Sequence, residues 1–188
     1  MGRTYDGIDR RLRGFLERQP VFFVATAPLA GDGLVNVSPK GMSGTFRVLD
    51  DHSVAYLDLT GSGVETIAHL RENGRITLMF CAFDGKPRIV RLAGRGRVVM
   101  PGDDGFAALA AGFPTIEGTR SVIVVDVTRI ADSCGYAVPR MDHVGDRDQL
   151  VRWATSRGED GLDEYRRERN AVSLDGLPGL PSGALDRR

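Results

Sequence analysis

Cysteine and histidine are scarce in this sequence. Only two of the 188 residues are cysteines, Cys81 and Cys134, and they form no CxxC pair. The sequence therefore supports neither a disulfide framework nor a cysteine-based zinc site. The three histidines, His52, His69 and His143, show no HExxH or other ligand spacing. We expect no metal ion and a reducing, cytoplasmic location.

An excess of charge of one sign and long hydrophobic runs are also absent. Lys plus Arg and Asp plus Glu number 25 each, so the formal net charge is zero. Nothing in this balance resembles the basic surface of a nucleic-acid-binding protein. The longest apolar run, residues 20–28, is far shorter than the roughly 20 residues that span a bilayer. Residues 1–13 are polar and carry four arginines, without the apolar core of a signal peptide. We expect no nucleic-acid partner and no membrane.

Short β-rich segments separated by Gly, Pro and Asp clusters dominate the first two thirds of the chain. Alternation and turn signals predict strands over residues 21–26, 34–38, 45–49, 54–59, 75–82, 88–100 and 121–131. Apolar spacing predicts an N-terminal helix through Ile8, Leu12, Phe15 and Leu16, and further helices over residues 64–72 and 103–111. The last strand is nearly continuously apolar, which predicts cover on both faces. This order favours a mainly β protein built on a small antiparallel barrel.

Beyond residue 133 the chain becomes highly charged. Residues 146–157 and 160–169 have helical patterns, and residues 173–188 are rich in Gly and Pro. We therefore predict a barrel with its N-terminal helix over residues 1–132 and a helical extension over residues 133–188. The extension is too polar for a core of its own and is expected to dock on the barrel or on a partner subunit, with residues 180–188 loosely held.

The stretch from Tyr56 to Thr66 runs from a strand through a hydroxyl- and Gly-rich turn into a helix. Ser62 and Glu65 match an S-x-x-E capping box, which predicts Ser62 as the N-cap. Free N–H groups at the positive end of a helix, with the hydroxyls of Thr60, Ser62 and Thr66 nearby, suit a phosphate monoester. Most capping boxes bind nothing, so this segment alone is weak support for a ligand site.

A second polar segment adds to the first. The strand V-N-V-S-P-K-G ends with the hydroxyl of Ser38 and the cation of Lys40. A basic strand end and a hydroxyl-rich helix start together could hold one dianionic phosphate from two sides. We therefore predict that these two segments form one site.

Nucleotide-binding loops match this stretch poorly. The segment from Gly61 to Thr66 lacks the third glycine of a G-x-G-x-x-G fingerprint, and its strands are predicted to be antiparallel. Around Gly85-Lys86, a P-loop would need a glycine where Phe80 stands. Both interpretations are set aside.

The order of these motifs resembles the pyridoxamine 5′-phosphate oxidase-like, FMN-binding split β-barrels. The segments V-N-V-S-P-K-G, Y-L-D-L-T-G-S-G-V-E-T, R-I-T-L-M-F and R-I-V-R-L-A-G-R-G-R-V carry the resemblance, which covers residues 18–130. It implies a small antiparallel split β-barrel that binds FMN at the interface of a homodimer. The implied phosphate contacts are Ser38, Lys40, Ser62 and Thr66, with Thr60 nearby. The implied contacts of the isoalloxazine edge are Val37, Tyr56 and Asp58, and Arg88 and Arg91 would approach from the second subunit.

The sequence also departs from that family. Oxidases that produce pyridoxal phosphate usually place a further basic residue at the helix start, where this chain has Gly63, Val64 and Glu65. They also end in an Arg- and His-bearing segment, whereas this chain ends in Asp-Arg-Arg. Oxidation of a vitamin B6 phosphate is therefore not expected. The resemblance implies an FMN-dependent oxidoreductase acting on an unknown small molecule. The alternatives are a non-catalytic flavin-binding or sensing module, or the same fold binding deazaflavin or haem.

Overall fold

The computed structural model describes residues 2–180 of the chain. Eight strands and four helices follow one another along it. The strands are β1 (Thr4–Tyr5), β2 (Val21–Thr26), β3 (Asn36–Gly41), β4 (Phe46–Val48), β5 (Ser53–Leu59), β6 (Arg75–Cys81), β7 (Ile89–Val99) and β8 (Thr119–Ser133). The helices are α1 (Arg10–Leu16), α2 (Glu65–Asn73), α3 (Phe106–Ala110) and α4 (Gln149–Arg169).

All eight strands belong to one antiparallel sheet. Its order is β3-β2-β6-β7-β8-β5-β4, with β1 paired to β8. The sheet curls into a split β-barrel, and four aromatic rings pack in its interior, with centroids 4.9–5.5 Å apart: Phe22, Phe46, Tyr56 and Phe80. The predicted fold class is therefore confirmed.

Strand β8 is buried on both faces, as its continuous apolar sequence predicts. Ile123 and Val125 belong to the main core inside the barrel. Val122 and Val124 belong to a second cluster on the outer face, to which Phe113 and side chains of α3 contribute. The short α3 and the loop after it therefore cover the outer face of this part of the sheet.

The N-terminal apolar stripe forms the expected helix. The Asp9 side chain caps α1 by accepting a hydrogen bond from the Leu12 amide over 2.7 Å. Leu12, Phe15 and Leu16 are buried on one side of this helix. Burial of the stripe against the barrel holds α1 in place, because an isolated helix of this length is unstable in water.

Some predicted boundaries were wrong. The strand predicted over residues 34–38 spans Asn36–Gly41 instead, which leaves Leu34 and Val35 exposed in the β2–β3 connection. The first charged helix of the extension begins at Gln149 rather than at residue 146, whereas the predicted break between the two charged helices is present within α4 at Gly158, whose φ is 65°. Leu180 was expected to be loosely held but is buried against the main core. The remaining residues of that prediction, 181–188, lie outside the described part of the chain.

In the described part of the chain, no helix is both long enough and apolar enough to cross a membrane. The longest helix, α4, carries charged residues along its whole length.

Candidate functional site

The inner face of the edge strand β3 carries the polar side chains singled out by the sequence. In the β2–β3 pair, Lys40 lies opposite Phe22, and Ser38 lies opposite Val24. Directly opposed residues share one face of a sheet, and Phe22 and Val24 are core residues. Ser38 and Lys40 therefore face inward. Val37 faces the other side and is 60% exposed.

Asp58 lies near the end of β5 and is held between two cations. Arg120 Nε donates to Asp58 Oδ2 over 2.8 Å, and Lys40 Nζ lies 3.5 Å from Oδ1. Ser121 Oγ lies 3.2 Å from Oδ2. Burial alone would raise the pKa of this carboxyl, but the charges of Arg120 and Lys40 and the hydrogen bonds outweigh it and lower the pKa. Asp58 is therefore ionised, and its ion pair with Lys40 links β5 to β3.

Asp58, which the resemblance places at the edge of the flavin ring, has a fully buried side chain that is paired inside the protein. Its carboxylate instead fixes the position of Lys40, whose side chain keeps 22% of its surface exposed. The sequence indicated a polar residue on this strand but could not show that two basic residues surround it.

Tyr56, which the resemblance also places at the edge of the flavin ring, lies in the interior of the barrel. The side chain is completely buried, with its ring 5.5 Å from that of Phe22 in an edge-on arrangement. Burial, together with the nearby charge of Asp58, holds the pKa of the Tyr56 hydroxyl well above its usual range. Within residues 2–180 this hydroxyl has no hydrogen-bond partner. Tyr56 is a core residue.

The turn between β5 and α2 differs from the predicted capping box. Helix α2 begins at Glu65 with Val64 as its N-cap, and no side chain caps it. Ser62 is exposed and lies two residues before that cap. The Glu65 carboxylate folds back over Gly63 so closely that a β-carbon at Gly63 would clash with it. The capping prediction was wrong because the turn is held by contacts from elsewhere in the chain.

Those contacts come from Arg120 and from the end of α4. Asn170 Nδ2 donates to the Gly61 carbonyl over 3.0 Å, and Arg120 Nη1 donates to the Gly63 carbonyl over 3.0 Å. Asn170 Oδ1 also accepts from Arg120 Nη1 over 2.8 Å, and both side chains are buried. The carbonyls of Gly61 and Gly63 are therefore both bonded to protein.

This arrangement sets the direction of the amides in the same turn. In a trans peptide unit the N–H group points opposite to the carbonyl. The amides of Ser62 and Val64 therefore point away from Asn170 and Arg120. Within residues 2–180 neither amide donates to a backbone carbonyl or to a side chain. Because Val64 is buried and Ser62 is exposed, the turn presents the free Ser62 N–H group beside the Ser62 hydroxyl.

The two threonines of the predicted site differ in their partners. Thr60 is buried, donates through Oγ1 to the Gly118 carbonyl over 2.8 Å and accepts from Arg166 Nε over 3.0 Å. Thr66 Oγ1 accepts from Asn36 Nδ2 over 3.0 Å. The hydroxyl of Thr60 is therefore bonded within the protein, whereas Thr66 connects the start of α2 to the inner face of β3.

A buried polar chain extends from Asn36 toward the tail. Asn36 Nδ2 also donates to Thr26 Oγ1 over 3.0 Å, and that oxygen lies 2.9 Å from His69 Nδ1. His69 Nε2 lies 3.7 Å from Asp175 Oδ2, and Asp175 accepts from the Leu34 amide over 3.1 Å. His69 is thus a structural residue. Among residues 2–180, no three His, Cys, Asp or Glu side chains are grouped as a metal site.

Arg88 and Arg91 lie apart from the turn. Arg88 Nη2 donates to the Tyr5 hydroxyl over 2.8 Å and lies 3.3 Å from Asp132 Oδ2, so it holds β1 within its own chain. Arg91 is exposed, and its Nη1 donates to Ser133 Oγ over 3.1 Å. Among the ten predicted residues, the structure joins Lys40 to Asp58 over 3.5 Å and connects Thr66 to β3 through Asn36.

Sequence reasoning missed the residues that hold this site together. They are Asn36, Arg120, Arg166 and Asn170. The contacts that Arg120, Arg166 and Asn170 make with residues 58–63 join positions 57 to 109 residues apart. The clearest indication of these residues in the sequence was Arg120, a charged residue at the start of the most apolar strand.

The fold and site define an antiparallel split barrel with a polar turn between its fifth strand and second helix. The family profile described as pyridoxamine 5′-phosphate oxidase matches residues 8–134. The chain therefore belongs to the pyridoxamine 5′-phosphate oxidase family.

A curated relative and two solved structures are similar to this chain. The pyridoxamine 5′-phosphate oxidase family protein ustO of Aspergillus flavus is 42% identical over 201 aligned positions, which cover 97% of this chain and 80% of that protein. The H111A variant of HupZ from Group A Streptococcus has a TM-score of 0.53 at 24% identity, covering 67% of this chain and 99% of its own. A second HupZ structure has a TM-score of 0.51 at 24% identity, covering 65% and 91%. The HupZ structures support the fold alone.

Proposed function

We propose that this protein binds FMN and acts as an FMN-dependent oxidoreductase on a small molecule. The observation that carries the proposal is the β5–α2 turn, whose Ser62 amide is free at an exposed position while the Gly61 and Gly63 carbonyls are bonded inward. Free amides at the start of a helix are suited to a phosphate monoester. Family membership makes a flavin phosphate the first candidate.

In this proposal the phosphate is held by groups from the β5–α2 turn and from β3. Ser62 and the turn amides bind it from the helix side, and Lys40 binds it from β3, with Ser38 and Thr66 contributing hydroxyls. Lys40 remains 22% exposed although it lies 3.5 Å from Asp58. Because Arg120 already neutralises Asp58, the Lys40 charge stays available to an anion.

The residues present fit a phosphate incompletely. The Glu65 carboxylate folds over Gly63 at the start of α2 and places a negative charge beside the turn. The family oxidases usually have a basic residue in this region. We therefore propose modest affinity for FMN, with the phosphate contributing less than it does where a further basic residue is present.

The ring system belongs, in this proposal, on the outer face of β3 and its neighbours. Val37 lies on this face, opposite Ala25 of β2. Arg91 lies on the same face, because Arg91 pairs with Met79, Met79 with Phe23 and Phe23 with Pro39 across four strands. A homodimer that buries this face would place Val37 and Arg91 in the same interface.

FMN, when bound, would supply hydride-transfer or one-electron chemistry, and the chain would supply position and electrostatics. No acid–base pair is therefore required in the site. Asp58 acts indirectly in this proposal, since its carboxylate fixes Lys40 and Arg120.

Substitution of Lys40 by alanine is expected to weaken FMN binding about tenfold, because one charge-assisted hydrogen bond to phosphate is lost. Riboflavin, which lacks the phosphate, should bind with nearly unchanged affinity. Glu65→Gln should act in the opposite direction and strengthen FMN binding about threefold, since it removes a negative charge near the phosphate. Isothermal titration with both flavins measures these effects.

The matched control is Lys86→Ala, which removes the chain's other lysine from the exposed β6–β7 hairpin. It should leave both affinities unchanged. Equal weakening of FMN and riboflavin by Lys40→Ala would show that Lys40 does not contact the phosphate.

Rapid reduction of the flavin-loaded protein by NADH or NADPH is expected if the protein is an oxidoreductase. A storage or sensing module would be reduced only by dithionite, and a deazaflavin or haem would be recognised from the visible spectrum.

Pyridoxamine 5′-phosphate and pyridoxine 5′-phosphate should not be turned over. A second phosphate over the ring would need several converging cations, and Arg152 in the extension is already paired with Asp148 at 3.2 Å. Efficient turnover of either vitamer would contradict this assignment.

A further inference from the structure

The end of α4 and the segment after it close over the β5–α2 turn. Arg166 Nε donates to Thr60 Oγ1 over 3.0 Å, and its Nη2 donates to the Thr119 carbonyl over 3.3 Å. One helical turn later, Asn170 reaches the Gly61 carbonyl. The Leu180 amide donates to the Asn170 carbonyl over 2.7 Å, which closes the tail over the helix end. We call Arg166 and Asn170 the helix-end clamp.

Asn170 is the member of this clamp that is bonded directly to the backbone of the turn. It is fully buried, and both ends of its side-chain amide are used. Nδ2 donates to the Gly61 carbonyl and Oδ1 accepts from Arg120, which in turn holds Asp58 and the Gly63 carbonyl. A buried carboxamide with both ends bonded allows one orientation of its partners. The Gly61–Ser62 peptide unit is therefore fixed by a residue more than a hundred positions away.

The glycine at position 61 makes this external hold more important. No atom lies within 4 Å of the position that a β-carbon of Gly61 would take, so nothing packs against that side of its backbone. Glycine also has more backbone freedom than any other residue. Without Asn170, the peptide unit between Gly61 and Ser62 could rotate, and the Ser62 amide would lose its outward direction.

We propose that Asn170 is a positioning residue for the phosphate of the flavin. By bonding the Gly61 carbonyl it directs the Ser62 amide toward the bound phosphate, so that the C-terminal extension orders the ligand site without touching the ligand. This inference rests on the proposed function, since it assigns the phosphate of FMN to the outer side of the turn.

A merely structural role for Asn170 predicts a different result. If Asn170 only stabilised the fold, its loss would weaken FMN and riboflavin equally, because both need the same folded barrel. If Asn170 positions the turn, its loss reduces only the part of the affinity that the phosphate supplies. The ratio of the two dissociation constants therefore separates the two roles.

The experiment measures the dissociation constants of FMN and riboflavin for the full chain and two variants. Asn170→Ala removes both side-chain hydrogen bonds. Asn170→Asp keeps an acceptor for Arg120, and so protects the fold, but has no donor for the Gly61 carbonyl. In both variants the preference for FMN over riboflavin should fall about tenfold. Leu162→Ala is the control: it opens a cavity at a buried position of α4, and should leave the preference unchanged.

A second readout uses the amides themselves. In ¹⁵N spectra of the wild-type protein, the Ser62 amide should shift on addition of FMN and stay in place with riboflavin. In Asn170→Asp that shift should be lost. Wild-type preference for FMN in either Asn170 variant would overturn the inference. A wild-type protein that binds neither flavin, or binds both equally, would overturn the proposed phosphate site and with it the basis of the inference.

Discussion

Substitution of Arg120 by methionine is expected to lower the free energy of unfolding by about 3–5 kcal/mol, the usual cost of removing one partner from a buried ion pair. Arg120 is 4% exposed and Asp58 is not exposed at all, so the carboxylate left behind cannot be hydrated. The variant also removes the donors to the Gly63 carbonyl and to Asn170 Oδ1. Urea denaturation followed by circular dichroism measures the difference.

Two further variants test the assignment of this loss to the buried charge. Arg129→Met, at an exposed position of the same strand, should change the stability by less than about 0.5 kcal/mol. The double variant Asp58→Asn, Arg120→Met should recover part of the loss, because no unpaired charge remains in the interior. A single Arg120→Met variant as stable as wild type would show that Lys40 and Ser121 are sufficient partners for the Asp58 carboxylate.

The pH dependence of the stability provides an independent test of the same prediction. In the wild-type protein the folded-state pKa of Asp58 is lowered, so the carboxylate stabilises the fold above its unfolded pKa of about 3.9 and loses this contribution as the pH falls below that value. Without Arg120, burial of Asp58 is opposed only by Lys40 and Ser121, so the folded-state pKa rises relative to wild type and the ionised carboxylate is less favourable to the fold of the variant at neutral pH. The stability difference between wild type and Arg120→Met should therefore shrink between pH 7 and about pH 4. A constant difference over that range would argue against an ionised, buried Asp58.

Local patterns in the sequence were sufficient to predict most of the barrel. The strand predicted over residues 21–26 has the bounds of β2, since alternating burial is visible in the sequence of one strand. The unbroken apolar sequence of β8 predicted cover on both faces for the same reason. Such features depend on side chains within about ten residues of each other, which is the range that periodicity reports.

The site was predicted less well, because its geometry depends on residues distant in sequence. Alternation placed Tyr56 and Asp58 on one face of β5 but could not say that this face points into the core. The S-x-x-E pattern predicted a cap at Ser62, yet Asn170 and Arg120 hold the turn in another conformation. No local motif marks Asn170, which follows a charged helix and becomes a contact of the turn only when the chain folds.

Substitution of Met79 by glutamate is expected to convert a dimer into a monomer, with the dimer dissociation constant raised at least about a hundredfold. Met79 lies on the outer face of the sheet, directly between Phe23 of β2 and Arg91 of β7. Helix α3 covers the outer face near β8 but contributes to a different cluster. An uncovered sheet face with half-buried apolar side chains is typical of an interface between subunits.

The control for this change is Ala108→Glu, which adds the same charge at an exposed position of α3. It should leave the molecular mass in solution unchanged. Light scattering at micromolar concentration, with FMN added, would compare the two variants with wild type. Because Arg91 lies on the same face as Met79, loss of the dimer should also weaken FMN if the partner subunit contributes to the site, whereas Ala108→Glu should not. A monomeric wild-type protein would contradict the homodimer, and a dimeric Met79→Glu variant would place the interface on another face of the barrel.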